Sequence, residues 1–126
     1  MAGESAGPGQ IAGAYGFDPN KPNAARIYDY LLGGKDNFAA DRDAAAQLVR
    51  ALPDAPLAAK ANRAFLAAAV RYVAGRGIGQ YIDIGSGLPT SPNVHECARA
   101  AVPGARVAYV DHDQVVVAHA RAADHR

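Results

Sequence analysis

Two short stretches rich in β-branched and aromatic residues, "QYIDIG" and "ARVAYVD", constrain the fold more than any other feature of the chain. The first predicts a strand at Gln80 to Ile84, and the second predicts a strand that starts near Ala105. A helical pattern from about Ser91 to Val102 lies between them. Strand, helix and strand joined by short connections predict a parallel pair with a right-handed crossover. Both strands are too apolar for a water-facing side, so we expect helices on both faces of a Rossmann-like α/β sheet.

Helical spacing and capping signals predict three helices before the first strand and one after the second. The first helix follows the capping residue Asn23 and ends at a Gly-Gly pair. The second is capped by Asp36 or Asn37 and stops at Pro53. The third helix and the closing helix cover residues 56–74 and 114–123.

Apolar positions give two of these helices a recognisable face. In the second helix we expect a buried face, and in the third helix five apolar residues share one stripe. These residues are, in turn, Phe38, Leu48, Val49 and Leu52, and Leu57, Ala61, Phe65, Ala68 and Tyr72. Residues 1–22 are rich in Gly, Pro and Ala, and we expect them to be disordered or loosely ordered. Residues 23–78 then form the N-terminal helices, and residues 79–126 form the first part of the Rossmann-like domain.

Composition excludes several classes of function. The chain has 126 residues, 50% of them hydrophobic and 20% charged, which suits one modest globular core. A net charge of +1 offers no basic footprint for nucleic acid. The longest apolar run, "AFLAAAV", is too short to cross a bilayer, and no leader-like segment opens the chain. The single cysteine, Cys97, suits a reducing compartment, so we expect a cytoplasmic protein without nucleic-acid or membrane partners.

A candidate ligand site lies at the carboxyl ends of the two predicted strands, where open α/β sheets bind ligands. Gly85 and Gly87 let the backbone turn tightly and approach a ligand, and the following helix points free N–H groups toward the same space. Asp111 stands 24 residues after Gly87, at the end of the neighbouring strand. An acid there suits a ribose diol, because a carboxylate accepts two hydroxyl hydrogen bonds. The spacing favours an adenosine-containing ligand.

The identity of that ligand depends on details of the glycine-rich motif. A dinucleotide fingerprint needs a third glycine, where this chain has Thr90 preceded by Pro89. Asp83, just before the strand ends, is unfavourable beside a pyrophosphate and favourable beside an ammonium or sulfonium group. S-adenosylmethionine carries both cations and no phosphate, so it is favoured over NAD. Asp83 capping a local turn, or His112 and Asp113 capping the last helix, is the alternative without a ligand.

The stretch "DYLLGGKDNF" raises the question of a phosphate-binding loop. Such a loop needs a first glycine and a Ser/Thr where this chain has Asp29 and Asp36, and it follows a strand instead of a helix. The glycines therefore predict a helix stop. Lys35, Asp36 and Asn37 are more polar groups than a helix stop and a cap require, which invites a functional interpretation. "HECAR" lacks the second histidine of a zinc protease motif, and we expect no metal site.

Four long stretches carry a family resemblance: "ARIYDYLLGGKDNFAADRDAA", "ANRAFLAAAVRYV", "IDIGSGLPTSPNVHE" and "ARVAYVDHDQVVVAHARA". They resemble the actinobacterial S-adenosylmethionine-dependent methyltransferases once known only as a domain of unknown function. The resemblance covers nearly the whole chain from Asn23. It implies the class I methyltransferase fold, a seven-stranded Rossmann-like sheet with N-terminal helices, and S-adenosylmethionine as cofactor.

The resemblance also implies roles for particular residues. Asp83, Gly85 and Gly87 would hold the methionine end of the cofactor, and Asp111 would bind the ribose hydroxyls. Further residues would lie beside the adenine, close the pocket floor, or reach inward from an N-terminal lid over the cofactor. They are His112 and Asp113 for the adenine, Thr90, Asn93 and His95 for the floor, and Asp36 and Asn37 for the lid.

Members of the family are longer than this chain, so we expect a fold truncated to the N-terminal helices and two parallel strands. The region that faces the methyl acceptor, expected to be a small molecule, would be absent, and no catalytic residue is assigned. A two-stranded sheet exposes unpaired edges, and its apolar faces lack helices to cover them, which predicts self-association. Three functions stay open: a methyltransferase, a non-catalytic cofactor-binding fragment, and an ordinary Rossmann nucleotide-binding module.

Overall fold

Three helices precede a strand–helix–strand–helix unit in the computed structural model, which describes residues 17–123. The elements are α1 (Ala24–Leu31), α2 (Ala39–Ala51), α3 (Ala55–Ala74), β1 (Gln80–Ile84), α4 (Val94–Ala101), β2 (Arg106–Val110) and α5 (Gln114–Ala123). This order is the one predicted, and the bounds of β1 and α5 agree to the residue. Helix α4 begins later than expected, after Asn93, because Pro92 precedes its cap.

Helix α1 has a defined cap at each end. The Asn23 side chain accepts a hydrogen bond from the backbone N–H of Arg26, as predicted for an N-cap residue. At the other end, Gly33 has a φ of +82° and its N–H donates to Tyr30, while the N–H of Gly34 donates to the carbonyl of Asp29. This pair of bonds is a Schellman motif, and the predicted helix stop is confirmed.

The predicted cap of helix α2 is wrong. The helix begins after Phe38, whose N–H donates to the Asp41 carboxylate at 2.8 Å, and neither Asp36 nor Asn37 caps it. The Asn37 side chain instead donates to Asp29 at 2.9 Å. Asp41 and Ala45 form the buried face of α2, whereas Leu52 is 60% exposed.

Helix α3 packs through small residues. Its buried positions are Ala59, Ala67, Val70 and Ala74. The apolar stripe predicted from helical spacing lies on the opposite side, where Phe65 is 73% exposed. Small alanine side chains let α3 approach its neighbours closely. Among the described residues, the larger side chains of the predicted stripe therefore face away from the core.

The two strands pair in parallel, with Asp83 beside Tyr109 in the register. Side chains alternate between a helix-covered face, which includes Tyr81 and Tyr109, and an open face. Ile82 and Ile84 lie on the open face and are 72% and 80% exposed. Among residues 17–123 only one face has helices packed on it, where a complete Rossmann-like sheet is covered on both, and this agrees with the prediction for a fold truncated to two strands.

The largest apolar cluster joins α3, α4 and the covered face of the sheet. It contains Ala67, Val70, Val94, Cys97, Ala98 and Ala105. Of the segment expected to be disordered or loosely ordered, residues 1–16 lie outside the described residues. In the described remainder, Phe17 stacks on Phe38 with ring centroids 6.1 Å apart, and the carbonyl of Lys21 accepts a 2.7 Å hydrogen bond from Arg26. None of the described helices is long and apolar enough to span a membrane.

Candidate functional site

The loop after β1 is fastened to the end of β2 by backbone hydrogen bonds. Gly85 and Gly87 have φ angles of +68° and +69°, a conformation that favours glycine. The N–H of Gly85 donates to the Val110 carbonyl at 2.7 Å, and the N–H of Gly87 donates to the Asp111 carboxylate at 3.0 Å. The two positions predicted from spacing are thereby brought into direct contact at the strand ends.

Asp111 is held in a fixed orientation but keeps acceptor capacity. Oδ2 accepts from Gly87, and Oδ1 accepts the Asp113 N–H at 2.9 Å. A carboxylate offers about four acceptor positions, so about two remain for the hydroxyls of a ligand. Desolvation acts to raise the pKa of Asp111, but these two hydrogen bonds and the nearby His112 outweigh it, and the pKa lies below its ordinary value. The His112 ring itself is fully exposed, with Nδ1 3.6 Å from Asp111.

Asp83 faces a different space, on the helix-covered side of the sheet. It lines a cavity of about 270 Å³ together with Arg63, Asn93, His95 and Tyr109. Burial raises the pKa of the Asp83 carboxyl, the Arg63 guanidinium partly offsets that rise, and Asp111 adds to it. The cavity also reaches Gly87, so the Asp83 carboxylate and the glycine-rich loop border the same space.

The segment "LPTSPNVHE" builds the start of helix α4. The Asn93 side chain accepts the Thr90 N–H at 3.0 Å, and the Glu96 carboxylate accepts the Asn93 N–H at 2.6 Å. The phenol oxygen of Tyr109 lies 2.9 Å from the His95 backbone nitrogen, which donates to it, and 2.7 Å from the ring Nδ1. These bonds lock the helix start against β2. Burial raises the pKa of the Tyr109 phenol more than the His95 hydrogen bond lowers it.

Asp113 joins the strand-end site to the N-terminal helices. Its Oδ1 accepts the Val115 N–H at 2.9 Å, as expected for a cap of α5. Its Oδ2 accepts a hydrogen bond from the side-chain amide of Asn23, 90 residues earlier in the chain. Sequence spacing predicts only a capping role for Asn23, and no local signal could reveal a partner so far away.

The "GGKDNF" loop folds around the buried carboxylate of Asp29. This carboxylate accepts the Asp36 N–H and the Asn37 side-chain amide, each at 2.9 Å. A Cβ atom at Gly34 would overlap the Asp29 carboxylate, which explains the second glycine. The Asp36 carboxylate lies 3.7 Å from Nε2 of His119 on α5. Among residues 17–123, no hydrogen bond links Asp36 or Asn37 to the glycine-rich loop.

The candidate site residues thus form two groups and a separate loop. Gly85, Gly87, Asp111 and Asp113 meet at the strand ends, and Asp83, Asn93 and His95 line the adjoining cavity. Sequence reasoning missed Arg63 and Tyr109, which share that cavity. Tyr109 could have been identified from the sequence, because pairing the two predicted strands in parallel places it beside Asp83. No cluster of three or more potential metal ligands occurs in the described part of the chain.

A family model described as S-adenosyl methyltransferase matches residues 12–125. The chain belongs to the S-adenosyl methyltransferase family. This match confirms the resemblance predicted from the four long stretches, and the cofactor of the family is S-adenosylmethionine, as predicted. No curated protein sequence matches the chain at a significant level.

Two crystal structures resemble this S-adenosyl methyltransferase family member, each with a TM-score of 0.80. One is a protein of Thermobifida fusca YX named as a methyltransferase, 50% identical over 82% of this chain. The other is a DUF574 family protein of Streptomyces avermitilis MA-4680, 43% identical over 83% of this chain. Both confirm the predicted class I methyltransferase fold. The chain spans 40% of the length of each of these structures.

Proposed function

We propose that this chain forms the cofactor-binding part of an S-adenosylmethionine-dependent methyltransferase, with the ribose bound at Asp111. The observation that best supports this proposal is the geometry of the Asp111 carboxylate. Two backbone N–H groups orient it, and about half of its hydrogen-bond acceptor capacity stays free. It stands beside two glycines with positive φ, which leave room for close approach of a ligand. The family match supports the identity of the cofactor.

Asp83 fits the methionine end of the cofactor on electrostatic grounds. Bound S-adenosylmethionine supplies an electrophilic methyl group on a positively charged sulfonium. A half-buried carboxylate whose pKa is raised by desolvation gains from a nearby cation, because the cation offsets the cost of its ionisation. The Arg63 guanidinium already supplies part of that compensation and holds the loop by donating to the Thr90 carbonyl at 2.9 Å.

The remaining candidate residues are assigned to the cavity floor, the adenine and the N-terminal loop. Asn93 and His95 border the cavity that Asp83 faces, so they form its floor, and Thr90 is fixed by the Asn93 side chain. His112 is exposed beside Asp111, where an adenine ring would extend. Asp36 and Asn37 hold the N-terminal loop around Asp29 by hydrogen bonds, and we assign this loop as part of a lid over the cofactor.

Further properties of the protein follow from this function as proposals. Methyl transfer requires the sulfur and the acceptor atom to be held in line, and the chain's own residues are assigned to hold the cofactor. We assign a small-molecule acceptor, since the net charge of +1 gives no basic surface for nucleic acid. The buried thiol of Cys97 suits the cytoplasm. In the part of the chain that the structure describes, the open face and unpaired edges of the sheet favour self-association.

The proposal is tested by calorimetric titration with S-adenosylhomocysteine, with NAD as the control ligand. We expect a micromolar Kd, about −8 kcal/mol, for S-adenosylhomocysteine and no binding of NAD. The variant D111A should weaken binding about tenfold or more, because a carboxylate hydrogen-bonded to hydroxyls is lost. D43A removes an exposed carboxylate on α2 and should leave the Kd unchanged. Tighter binding of NAD, or equal effects of the two variants, would overturn the proposal.

Turnover separates an active enzyme from a cofactor-binding fragment. Labelled S-adenosylmethionine would be incubated with the chain and with small-molecule, RNA and protein fractions. Unreacted S-adenosylmethionine is first separated by chromatography. Label in a new small-molecule product alone then supports the proposed acceptor class, and label in the RNA or protein fraction contradicts it. Binding of S-adenosylhomocysteine without transfer to any fraction indicates a non-catalytic cofactor-binding function.

A further inference from the structure

Asn23 makes more contacts than a helix cap requires. Its Oδ1 accepts the Arg26 N–H at 3.1 Å, which is the capping bond. Its backbone N–H donates to Asp41 at 2.9 Å, and its side-chain amide donates to Asp113 beside the strand-end site. Serine or aspartate at this position would cap equally well but would not donate this amide hydrogen bond. The choice of asparagine therefore matches the contact with Asp113.

A continuous line of hydrogen bonds runs from this contact to the glycine-rich loop. Asp113 accepts from Asn23 through Oδ2, and its own N–H donates to Asp111 at 2.9 Å. The other oxygen of Asp111 accepts the Gly87 N–H at 3.0 Å. The cap of the first helix is thus connected to the glycine-rich loop through the proposed ribose-binding carboxylate.

A second, independent contact joins the same two regions. A buried apolar cluster contains Leu88, which directly follows the glycine-rich turn, and Val115 and Val116 of α5. Phe17 and Ala25, from the segment before α1 and from α1 itself, pack against it. The N-terminal segment therefore packs against the apolar cluster that contains Leu88, in addition to the Asn23 hydrogen bond to Asp113.

We propose that Asn23 is a positioning residue for the cofactor site, which couples docking of the N-terminal helices to the orientation of Asp111. This inference rests on the proposed function. Coupling between two sites is reciprocal, so a ligand held by Asp111 stabilises docking of α1, and loss of the Asn23 hydrogen bond weakens ligand binding. The coupling acts through Asp113, because its side chain receives the amide and its N–H orients Asp111.

The test uses a reversal of the hydrogen bond. N23D keeps an acceptor for the Arg26 N–H but sets two carboxylates against each other. D113N keeps an acceptor for the Val115 N–H but sets two amides against each other. The double variant N23D/D113N restores one donor and one acceptor with the direction reversed, and its net charge equals that of the unmodified chain. A matched control, N20D, makes the same substitution at an exposed residue of the same segment.

Two quantities are measured for each variant: the Kd for S-adenosylhomocysteine, and the change in amide hydrogen exchange of residues 24–31 when this ligand is added. We expect N23D and D113N to raise the Kd about tenfold or more and to lose the ligand-dependent protection. The double variant should recover most of the affinity and most of the ligand-dependent protection. N20D should match the unmodified chain in both quantities. A purely structural role would instead lower the Tm while leaving the Kd of the folded fraction unchanged.

The outcomes separate this inference from the proposed function. If the unmodified chain binds S-adenosylhomocysteine and all variants bind it equally, the role of Asn23 is overturned while the proposed function stands. If the unmodified chain does not bind it, the proposed function fails and the coupling fails with it. Should N23D not fold, N23S decides the matter, because serine keeps the cap and is too short to reach Asp113. Unchanged affinity in folded N23S overturns the inference.

Discussion

The Arg26 guanidinium and the Asp41 carboxylate form an ion pair inside the N-terminal helices, with Nε and Oδ2 2.8 Å apart and side chains 2% and 0% exposed. Asp41 also accepts the N–H groups of Asn23 and Phe38. The guanidinium lies 5.2 Å from the Phe38 ring centre and donates to two backbone carbonyls. One buried pair thereby joins the segment before α1, α1 itself and the start of α2.

Removing the cation alone should destabilise the protein strongly. R26M leaves the Asp41 charge buried without its partner, so we expect a loss of about 3–5 kcal/mol in the free energy of unfolding. The double variant R26M/D41N should lose less than the sum of the two single variants, because the two residues interact. Urea denaturation measures each value. The control R50M changes an exposed arginine of α2 and should alter stability by about 0.5 kcal/mol or less. A loss of similar size in R26M and R50M would contradict this prediction.

The second glycine of the "GGK" turn should not tolerate a side chain. A Cβ atom at Gly34 would overlap the Asp29 carboxylate, so G34A should displace the loop or expel that carboxylate. We expect a loss of about 1–3 kcal/mol, typical of overpacking. G104A is the matched control, since a Cβ atom there meets nothing within 4 Å. Thermal denaturation compares the two, and equal Tm values would show that Asp29 can move aside freely.

Much of the fold was predictable because its signals are local. The β-branched runs identified β1 and β2, and Asn23 with its Gly-Gly stop identified α1. Helix α3 shows where a local signal fails. Alanine lies on all sides of this helix, so the apolar period does not identify the core side, and Ala67 is buried while Phe65 is exposed.

The candidate site was predictable only in part, for a related reason. Strand-end glycines and an acid at a fixed spacing follow from βαβ geometry, so Gly87 and Asp111 could be paired in advance. The Asn23 contact with Asp113 depends on how two distant segments pack, and no spacing rule encodes it. The burial of Asp29 likewise depends on the loop that folds around it.

Asp83 should make stability depend on pH in the direction opposite to most acidic groups. Its pKa is raised in the folded state, so the folded protein binds a proton more tightly than the unfolded chain does. The folded state therefore loses stability as pH rises from the ordinary carboxyl pKa through the raised one. D83N should have a higher Tm than the unmodified chain at about pH 7, without cofactor, and an equal Tm at about pH 3.

The control for this effect is D43N, which neutralises an exposed carboxylate of α2. Its Tm should follow that of the unmodified chain at both pH values. A lower Tm for D83N at neutral pH would mean that attraction to Arg63 exceeds the cost of desolvating the Asp83 carboxylate, and the prediction would then be wrong.

The open face of the sheet should make the chain associate with itself. Ile82 and Ile84 are 72% and 80% exposed beside an edge of β1 that no strand of residues 17–123 pairs with, and Val110 of β2 adds to the same face. An apolar sheet face next to a free edge is a surface for association. Light scattering after gel filtration should give a mass that rises with concentration, and I82T/I84T should lower it. L52T, which removes a 60%-exposed leucine at the end of α2, should not. A constant monomer mass for the unmodified chain would exclude association through this face, and an equal effect of L52T would assign it to general surface hydrophobicity.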